Sequence, residues 1–166
     1  MINFKNFGVL ETLVLLSAIY VLSTLIWTAT TRSAVEDKAN QVKSNHKTIV
    51  NFINNQVNSC DKGDKKEKTL WGEFCDQTWS SQKIINYINS ELKLKNPYSK
   101  NIFIVKGAQD PRLQAEGKAG QSTDMGVIFV SSNDFGSEPG SEWTIGTCVK
   151  SPCVAAGNNE LTSVYR

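Results

Sequence analysis

The chain has 166 residues, and its 18 lysines and arginines nearly balance its 16 aspartates and glutamates, which leaves a net charge of only +2. So small a charge argues against nucleic-acid binding, because that function needs a strongly basic surface. The presence of one histidine in the whole chain also argues against a zinc site built from imidazoles.

The first predicted element is an apolar helix. Residues 12–31, TLVLLSAIYVLSTLIWTATT, carry no charge. At about 1.5 Å per residue, such a helix is long enough to cross a hydrocarbon layer about 30 Å thick. We therefore predict a membrane-spanning segment over about residues 7–31, and Lys5 favours an amino end on the inner side. A cleaved secretory signal is the competing interpretation, but it needs a shorter apolar stretch and a small-residue cleavage site.

Glu11 stands at the start of this uncharged run. A carboxylate in a segment that enters lipid or a protein core is costly unless a cation neutralises it. Glu11 is therefore a candidate functional residue whose cationic partner must come from another group.

Beyond Arg32 the helix is predicted to continue in amphipathic form. Apolar residues recur at helical spacing, and no glycine lies between Gly8 and Gly63 and no proline before Pro97. We predict one spine helix over residues 7–58, about 75–80 Å long. His46 falls on the apolar stripe, where a packed histidine is the favoured interpretation over a metal ligand. The stripe consists of Val35, Ala39, Val42, Ile49 and Ile53.

Residues 59–166 are predicted to form one globular head with a single small core. A charged connecting loop opens it, and a second helix follows over about residues 80–94. The later β-rich runs have no predicted helices between them, which favours an antiparallel meander. The predicted fold class is therefore α+β, a long helix packed on a small antiparallel sheet. The predicted strands are 101–107, 125–132 and 142–149, with a weaker one at 160–166.

The four cysteines form two local pairs in the sequence. If the head lies outside the cytoplasm, an even cysteine count in a small loop-rich domain indicates two disulfides, with three formal pairings. We predict the pairing of sequence neighbours, Cys60–Cys75 and Cys148–Cys153, each closing a short loop and contributing about 2–4 kcal/mol. A zinc site is the alternative, but the cysteine spacings and the lack of supporting histidines disfavour it.

No catalytic arrangement stands out in the sequence, and we predict neither an enzyme nor a cofactor. Asp134, Glu138 and Glu142 in the loop over residues 131–142 could supply oxygen ligands to calcium. Their spacing matches no known calcium loop, and the glycines and proline among them indicate an ordinary acidic turn. We therefore predict no metal site.

The amino-terminal residues Phe7-Gly8-Val9-Leu10-Glu11, behind the leader MINFKN, resemble the signature of type IV pilins and their pseudopilin relatives. In those families a short basic leader precedes a phenylalanine, a glutamate stands at the fifth mature position, and an apolar helix follows. The layout of the remaining chain is also similar: a spine helix, a connecting loop, an antiparallel sheet and a disulfide-bounded carboxy-terminal loop. Asn6 stands where the family has glycine, and Thr28 stands where many members have proline.

The resemblance implies that prepilin peptidase removes residues 1–6 by cutting between Asn6 and Phe7, and then methylates the Phe7 amine. It also implies that Glu11 faces the Phe7 ammonium of a neighbouring subunit, a pair that would set the register between subunits. A cut after Gly8 would spoil the glutamate spacing. Whether the hydroxyl-rich stretch from Ser23 to Thr31 melts locally during assembly stays open.

The function implied is that of a structural subunit, inserted in the inner membrane as a precursor and then polymerised into an extracellular, type IV pilus-like filament for adhesion, motility or uptake. Its partners would be identical subunits and the pilus assembly machinery, with heads meeting through residues 59–79 and 148–166. The alternatives are a secretion-system pseudopilin in a short periplasmic filament and a monomeric, membrane-anchored binding domain.

Overall fold

The computed structural model describes residues 8–63, 66–99, 104–118 and 124–166, and for residues 9–11 it describes the backbone alone. Its first element is helix α1, Val9–Lys62. The predicted spine helix is therefore present, and it ends at Lys62 rather than at residue 58. No proline or glycine interrupts it, so the backbone hydrogen bonds run on through the hydroxyl-rich stretch.

The chain divides into two compact units, of which the first ends at Asp37 and the second runs Lys38–Arg166. The first contains the apolar part of α1. The second contains the amphipathic part of α1 together with every other helix and strand of the described residues. We refer to the second unit without its α1 residues as the head.

The head contains a four-stranded sheet in the order β1-β2-β3-β4. The fold class is therefore confirmed as α+β, a long amino-terminal helix and a small sheet, in a pilin-like arrangement. The bounds are β1 Val105–Ala108, β2 Ile128–Ser131, β3 Glu142–Cys148 and β4 Asn159–Tyr165.

The prediction of a wholly antiparallel sheet is wrong at one pair. Strands β1 and β2 are parallel, with Val105 opposite Ile128, whereas β2–β3 and β3–β4 are antiparallel. A parallel pair needs a crossover connection, and the segment between β1 and β2 provides one. That segment contains a short helix that the sequence pattern did not reveal.

Two short helices flank the sheet. Helix α2 is Ser81–Glu91, and its first backbone N–H groups are satisfied by carboxylates rather than by a serine cap, because Glu73 accepts from the Ser80 N–H at 2.8 Å and Asp134 from the Ser81 N–H at 3.2 Å. Helix α3 is Pro111–Ala115, the unpredicted crossover helix. Asp110 caps it by accepting from the Arg112 N–H at 2.9 Å.

The main core lies between the amphipathic half of α1, helix α2 and one face of the sheet. From α1 it takes Ile49, Ile53 and Val57, which recur at helical spacing and are buried. The remainder consists mainly of branched aliphatic side chains and four large aromatic ones, one of which is Trp71. These further members include Trp79, Phe135, Trp143, Ile84, Ile88, Ile128, Val130, Ile145 and Val164.

Both cysteine pairs are disulfides in the structure. Cys60 bonds to Cys75, which joins the last turns of α1 to the connecting loop, the segment between α1 and α2. Cys148 bonds to Cys153 at the end of β3. All four cysteines are used in this way. The pairing is that of sequence neighbours, so each bond constrains one loop next to a regular element.

Gly146 gives a direct test of how closely α3 packs on the sheet. A Cβ at this position of β3 would lie 2.6 Å from the Pro111 carbonyl oxygen and 3.0 Å from the Ala115 Cβ. We expect Gly146→Ala to lower the free energy of unfolding by about 1–3 kcal/mol through overpacking. Denaturant unfolding followed by tryptophan fluorescence measures this.

Gly107→Ala is the matched control. Its added Cβ would meet the nearest atom, Cδ1 of Ile85, at an ordinary 3.4 Å. Equal stability of the Gly146→Ala and Gly107→Ala variants would contradict the close packing of α3.

Candidate functional site

The most distinctive surface of the molecule is the apolar segment, defined here as residues 12–31 of α1. Its aliphatic and aromatic side chains are exposed in the monomer, up to 71% for Tyr20 and 72% for Trp27. Among the described residues, α1 is the one helix long and apolar enough to cross a membrane. Covering a leucine or isoleucine side chain is worth about 1.5–3 kcal/mol, so an apolar environment would stabilise this segment.

The polar atoms of the apolar segment are suited to such an environment. Its serine and threonine hydroxyls donate hydrogen bonds to carbonyl oxygens three or four residues earlier, as Ser17 does to Val14 at 2.8 Å and Thr24 to Val21 at 2.8 Å. These serine and threonine hydroxyls therefore need neither water nor another chain as acceptor. The same pattern holds for Thr12, Ser23, Thr28, Thr30 and Thr31.

The predicted processing and register residues lie at the edge of what the structure describes. Asn6 and Phe7 fall outside the described residues, and Glu11 is described through its backbone alone, within α1. Their roles stay predictions. The structure shows that the backbone at Glu11 is helical and continues directly into the apolar segment.

A second candidate surface joins the connecting loop to the end of β4 and centres on Arg166. The Arg166 guanidinium donates to the carbonyl oxygens of Gln77 at 2.9 Å and Gly136 at 3.2 Å, and also to that of Cys75. It lies over the Trp79 ring, with 3.9 Å between Cζ and the ring centroid. Arg166 thus ties three separate stretches of chain together.

Trp79 is the fixed point of this arrangement. Its side chain is fully buried, its indole N–H donates to the Phe74 carbonyl at 3.1 Å, and its backbone exchanges hydrogen bonds with Phe135 at 2.8 and 2.9 Å. Burial lowers the pKa of the Arg166 guanidinium, while Asp61 and Asp76 raise it. The acidic pair therefore offsets the cost of placing a cation against the indole.

The connecting loop contains a small hairpin over residues 67–75. Lys68 pairs with Phe74 in an antiparallel bridge, and the Gly72 N–H donates to the Thr69 carbonyl at 2.9 Å, with Gly72 at φ +89°. A left-handed residue is required there, and glycine supplies it. At the hairpin tip, Leu70 is 56% exposed. The loop thus presents an apolar tip on a rigid base.

His46 is buried on α1, as its position on the stripe predicts, with only 4% of its surface exposed. Its Nε2 shares a hydrogen bond with the Thr162 hydroxyl at 2.9 Å, and its Nδ1 has no partner among the described residues. Burial lowers the pKa of His46 to about 4, with Glu160 raising it slightly against that effect. The ring is therefore neutral at pH 7.

The acidic residues of the 131–142 loop serve local structure. Asp134 caps α2, and Glu142 accepts from the Tyr165 hydroxyl at 3.3 Å. In the described parts of the chain, no three metal-binding side chains come together as a possible metal site. Sequence patterns gave no sign of the Arg166 contacts, because their partners are 30 to 91 residues away along the chain.

Replacing Arg166 tests whether it holds the connecting loop to the sheet. We expect Arg166→Ala to lower the free energy of unfolding by about 1–2 kcal/mol, because it removes hydrogen bonds to three carbonyl oxygens and the cation–π contact with the Trp79 ring. This expected loss is modest because the guanidinium is only partly buried. Arg166→Lys should recover only part of this, since an ammonium cannot reproduce the planar fork. Arg112→Ala, at an exposed position of α3, is the control, and an equal loss in both alanine variants would contradict the role of Arg166.

Comparison with protein-family models gave no match, and neither curated proteins nor solved structures gave one. The residues of this chain therefore carry the functional proposal alone.

Proposed function

We propose that the chain is a structural subunit that polymerises through residues 7–31 into a type IV pilus-like filament on the cell surface. The observation that carries this proposal is the apolar segment, which is uncovered in the monomer and belongs to the same helix that supplies the core of the head. Lipid covers the segment before assembly, and the matching segments of identical subunits cover it afterwards. The role is structural and needs no cofactor.

The two halves of α1 differ in a way that supports this proposal, in which one half folds with the head and the other half polymerises. From Ala39 to Val57 the buried side chains of α1 recur on one face, so the apolar face of this half is already covered within the subunit. From Thr12 to Thr31 its side chains are apolar all round, which is typical of a helix surrounded by other helices or by lipid.

Glu11 gives the polymer its axial register in this proposal. In a bundle of apolar helices, a carboxylate without a cation is strongly unfavourable. After removal of residues 1–6 by prepilin peptidase, the methylated Phe7 ammonium of a neighbouring subunit supplies that cation. The pair is formed in only one relative position of the two helices, so it selects that position rather than adding much stability.

The head is displayed outward and meets neighbouring heads through residues 59–79 and 148–166. Each region presents an exposed apolar side chain near a disulfide: Leu70, within the Cys60–Cys75 loop, is 56% exposed, and Val154, next to Cys153, is 61% exposed. Such isolated apolar side chains on rigid loops suit lateral contacts of modest area. They leave the remaining surface free for adhesion, motility or uptake.

The Glu11→Ala variant tests the register. We expect the variant to insert in the membrane at wild-type level, with at least about a hundredfold less protein in the filaments sheared from cells. Removing one partner of a buried ion pair costs about 3–5 kcal/mol, because the Phe7 ammonium is left unpaired. Quantitative immunoblots of the sheared and membrane fractions measure both amounts.

Glu91→Ala, at the exposed end of α2, is the control and should leave the filaments unchanged. Wild-type filament yield from Glu11→Ala would contradict the register role.

The unsubstituted chain distinguishes the alternative functions. If it never enters the sheared fraction but assembles in the periplasm, the pseudopilin alternative is indicated. Solitary molecules in mild detergent would indicate a membrane-anchored binding domain.

A further inference from the structure

The part of α1 nearest the apolar segment contacts the head through few groups. We define the docking segment as residues 38–47. Its buried apolar side chains, Ala39 and Val42, form a small cluster with Val149 and Tyr98 that is separate from the main core, which begins at Ile49. The docking segment therefore depends on its polar contacts more than the remainder of the amphipathic helix does.

Besides a cation–π contact of Lys38, whose Nζ lies 5.7 Å from the Tyr98 ring centroid, three polar contacts add to this cluster. Asn45 donates from Nδ2 to the Lys95 carbonyl at 3.0 Å, and Lys43 pairs with Glu160 on β4 at 3.3 Å. The side chains of that ion pair are 43% and 38% exposed, so water screens the attraction between them. The third contact is the hydrogen bond of His46 to Thr162, which is the most buried of the three.

His46 lies at the boundary between the small cluster and the main core. A neutral imidazole leaves one nitrogen as an acceptor, but the protonated ring donates from both nitrogens. Nε2–H would still have the Thr162 hydroxyl, whereas Nδ1–H has no acceptor within the described parts of the chain. A proton on His46 would therefore leave a buried cation between the small cluster and the main core, with a hydrogen-bond partner for only one of its two N–H groups.

The charged groups near this seam offer little compensation. Within the described ranges, Glu160 on β4 is the negative charge that acts on His46, and it is already paired with Lys43. Lys95, whose backbone carbonyl accepts the hydrogen bond from Asn45, carries a further positive charge on its side chain. On β3, the residue paired with Thr162 is the uncharged Ile145.

We propose that His46 is an acid-sensitive latch, whose protonation releases the docking segment from the head while the core from Ile49 to Val57 stays packed. The latch changes how α1 is held by the head without unfolding the head. It operates whether or not the chain polymerises, so it is independent of the function proposed above.

The linkage between proton binding and docking sets the direction and size of the effect. The pKa of His46 is about 4 when docked and has the ordinary value of 6.5 when the ring is exposed to water. The contribution of neutral His46 to docking is therefore complete well above pH 6.5 and weakens by up to about tenfold per pH unit as the pH falls from 6.5 toward 4. Between pH 7.5 and pH 5 the population of the released state should rise about 30-fold.

Thiol labelling of the full-length chain in mild detergent measures this release. A cysteine at Val42 reports on the docking segment, and a cysteine at Ile53 reports on the main core, since both positions are fully buried. Dithiodipyridine reacts with thiols at acid pH as well as at neutral pH. Each labelling rate is divided by that of an unstructured cysteine peptide at the same pH.

We expect the relative labelling rate of Val42→Cys to rise about 30-fold from pH 7.5 to pH 5, while that of Ile53→Cys stays constant. In a His46→Gln background, which keeps an amide near Thr162 but cannot titrate, the rise at position 42 should disappear. An equal rise with glutamine, a parallel rise at position 53, or no rise at all would overturn the latch.

A second measurement does not depend on any variant folding. His46 is the single histidine of the chain, so the Cε1–H resonance of its ring is unambiguous in a proton NMR titration. A midpoint well below 6 supports the latch, and a midpoint near 6.5 would overturn it, because docking would then be insensitive to the proton.

Discussion

The structure depends on one constraint, which is that the described residues of the monomer leave the apolar half of helix α1 exposed. The side chains between Thr12 and Thr31 are exposed, whereas those of the same helix from Ala39 to Val57 form one wall of the core. Covering each large apolar side chain is worth about 1.5–3 kcal/mol, so the exposed half favours an apolar environment. In the proposed function lipid and then identical helices supply that environment, and both exclude unpaired charge.

The remainder of the molecule can be understood as a way of holding the other half of that helix rigidly. Disulfide Cys60–Cys75 fixes the point where α1 passes into the connecting loop. Arg166 fixes the far end of that loop by its contacts with carbonyl groups and with the Trp79 ring. Helix α1 is therefore held by the disulfide and the Arg166 contacts of the connecting loop at one end, by the main core from Ile49 to Val57, and by the small cluster around Val42 at the other end.

The sequence predicted the elements whose signals are local. The unbroken helical spacing from Val35 to Ile53, the absence of helix breakers and the neighbouring cysteines were sufficient for α1, for the α+β class and for the disulfide pairing. It failed where the determining contacts are distant in the chain. Helix α3 has five residues, too few to show a helical period, and without it the β1–β2 crossover was invisible.

The candidate site was predictable to the same extent and for the same reason. Glu11 and the apolar run are features of composition, and they could be identified before any fold was known. The hydrogen bonds of Arg166 reach Cys75 across most of the head, and the contact of His46 with Thr162 joins the first helix to the last strand. No periodicity in the sequence encodes such pairs, because they arise from the packing of the sheet on the helix.

The intact mass of the chain in material sheared from cells tests the central claim most directly. A polymer built on the apolar helix predicts a chain that starts at Phe7, carries a methyl group on its amine and contains two cystines. The opposite result is a chain that is absent from the sheared material and that keeps Met1 in the membrane. That result would contradict the filament and leave a tethered extracytoplasmic domain.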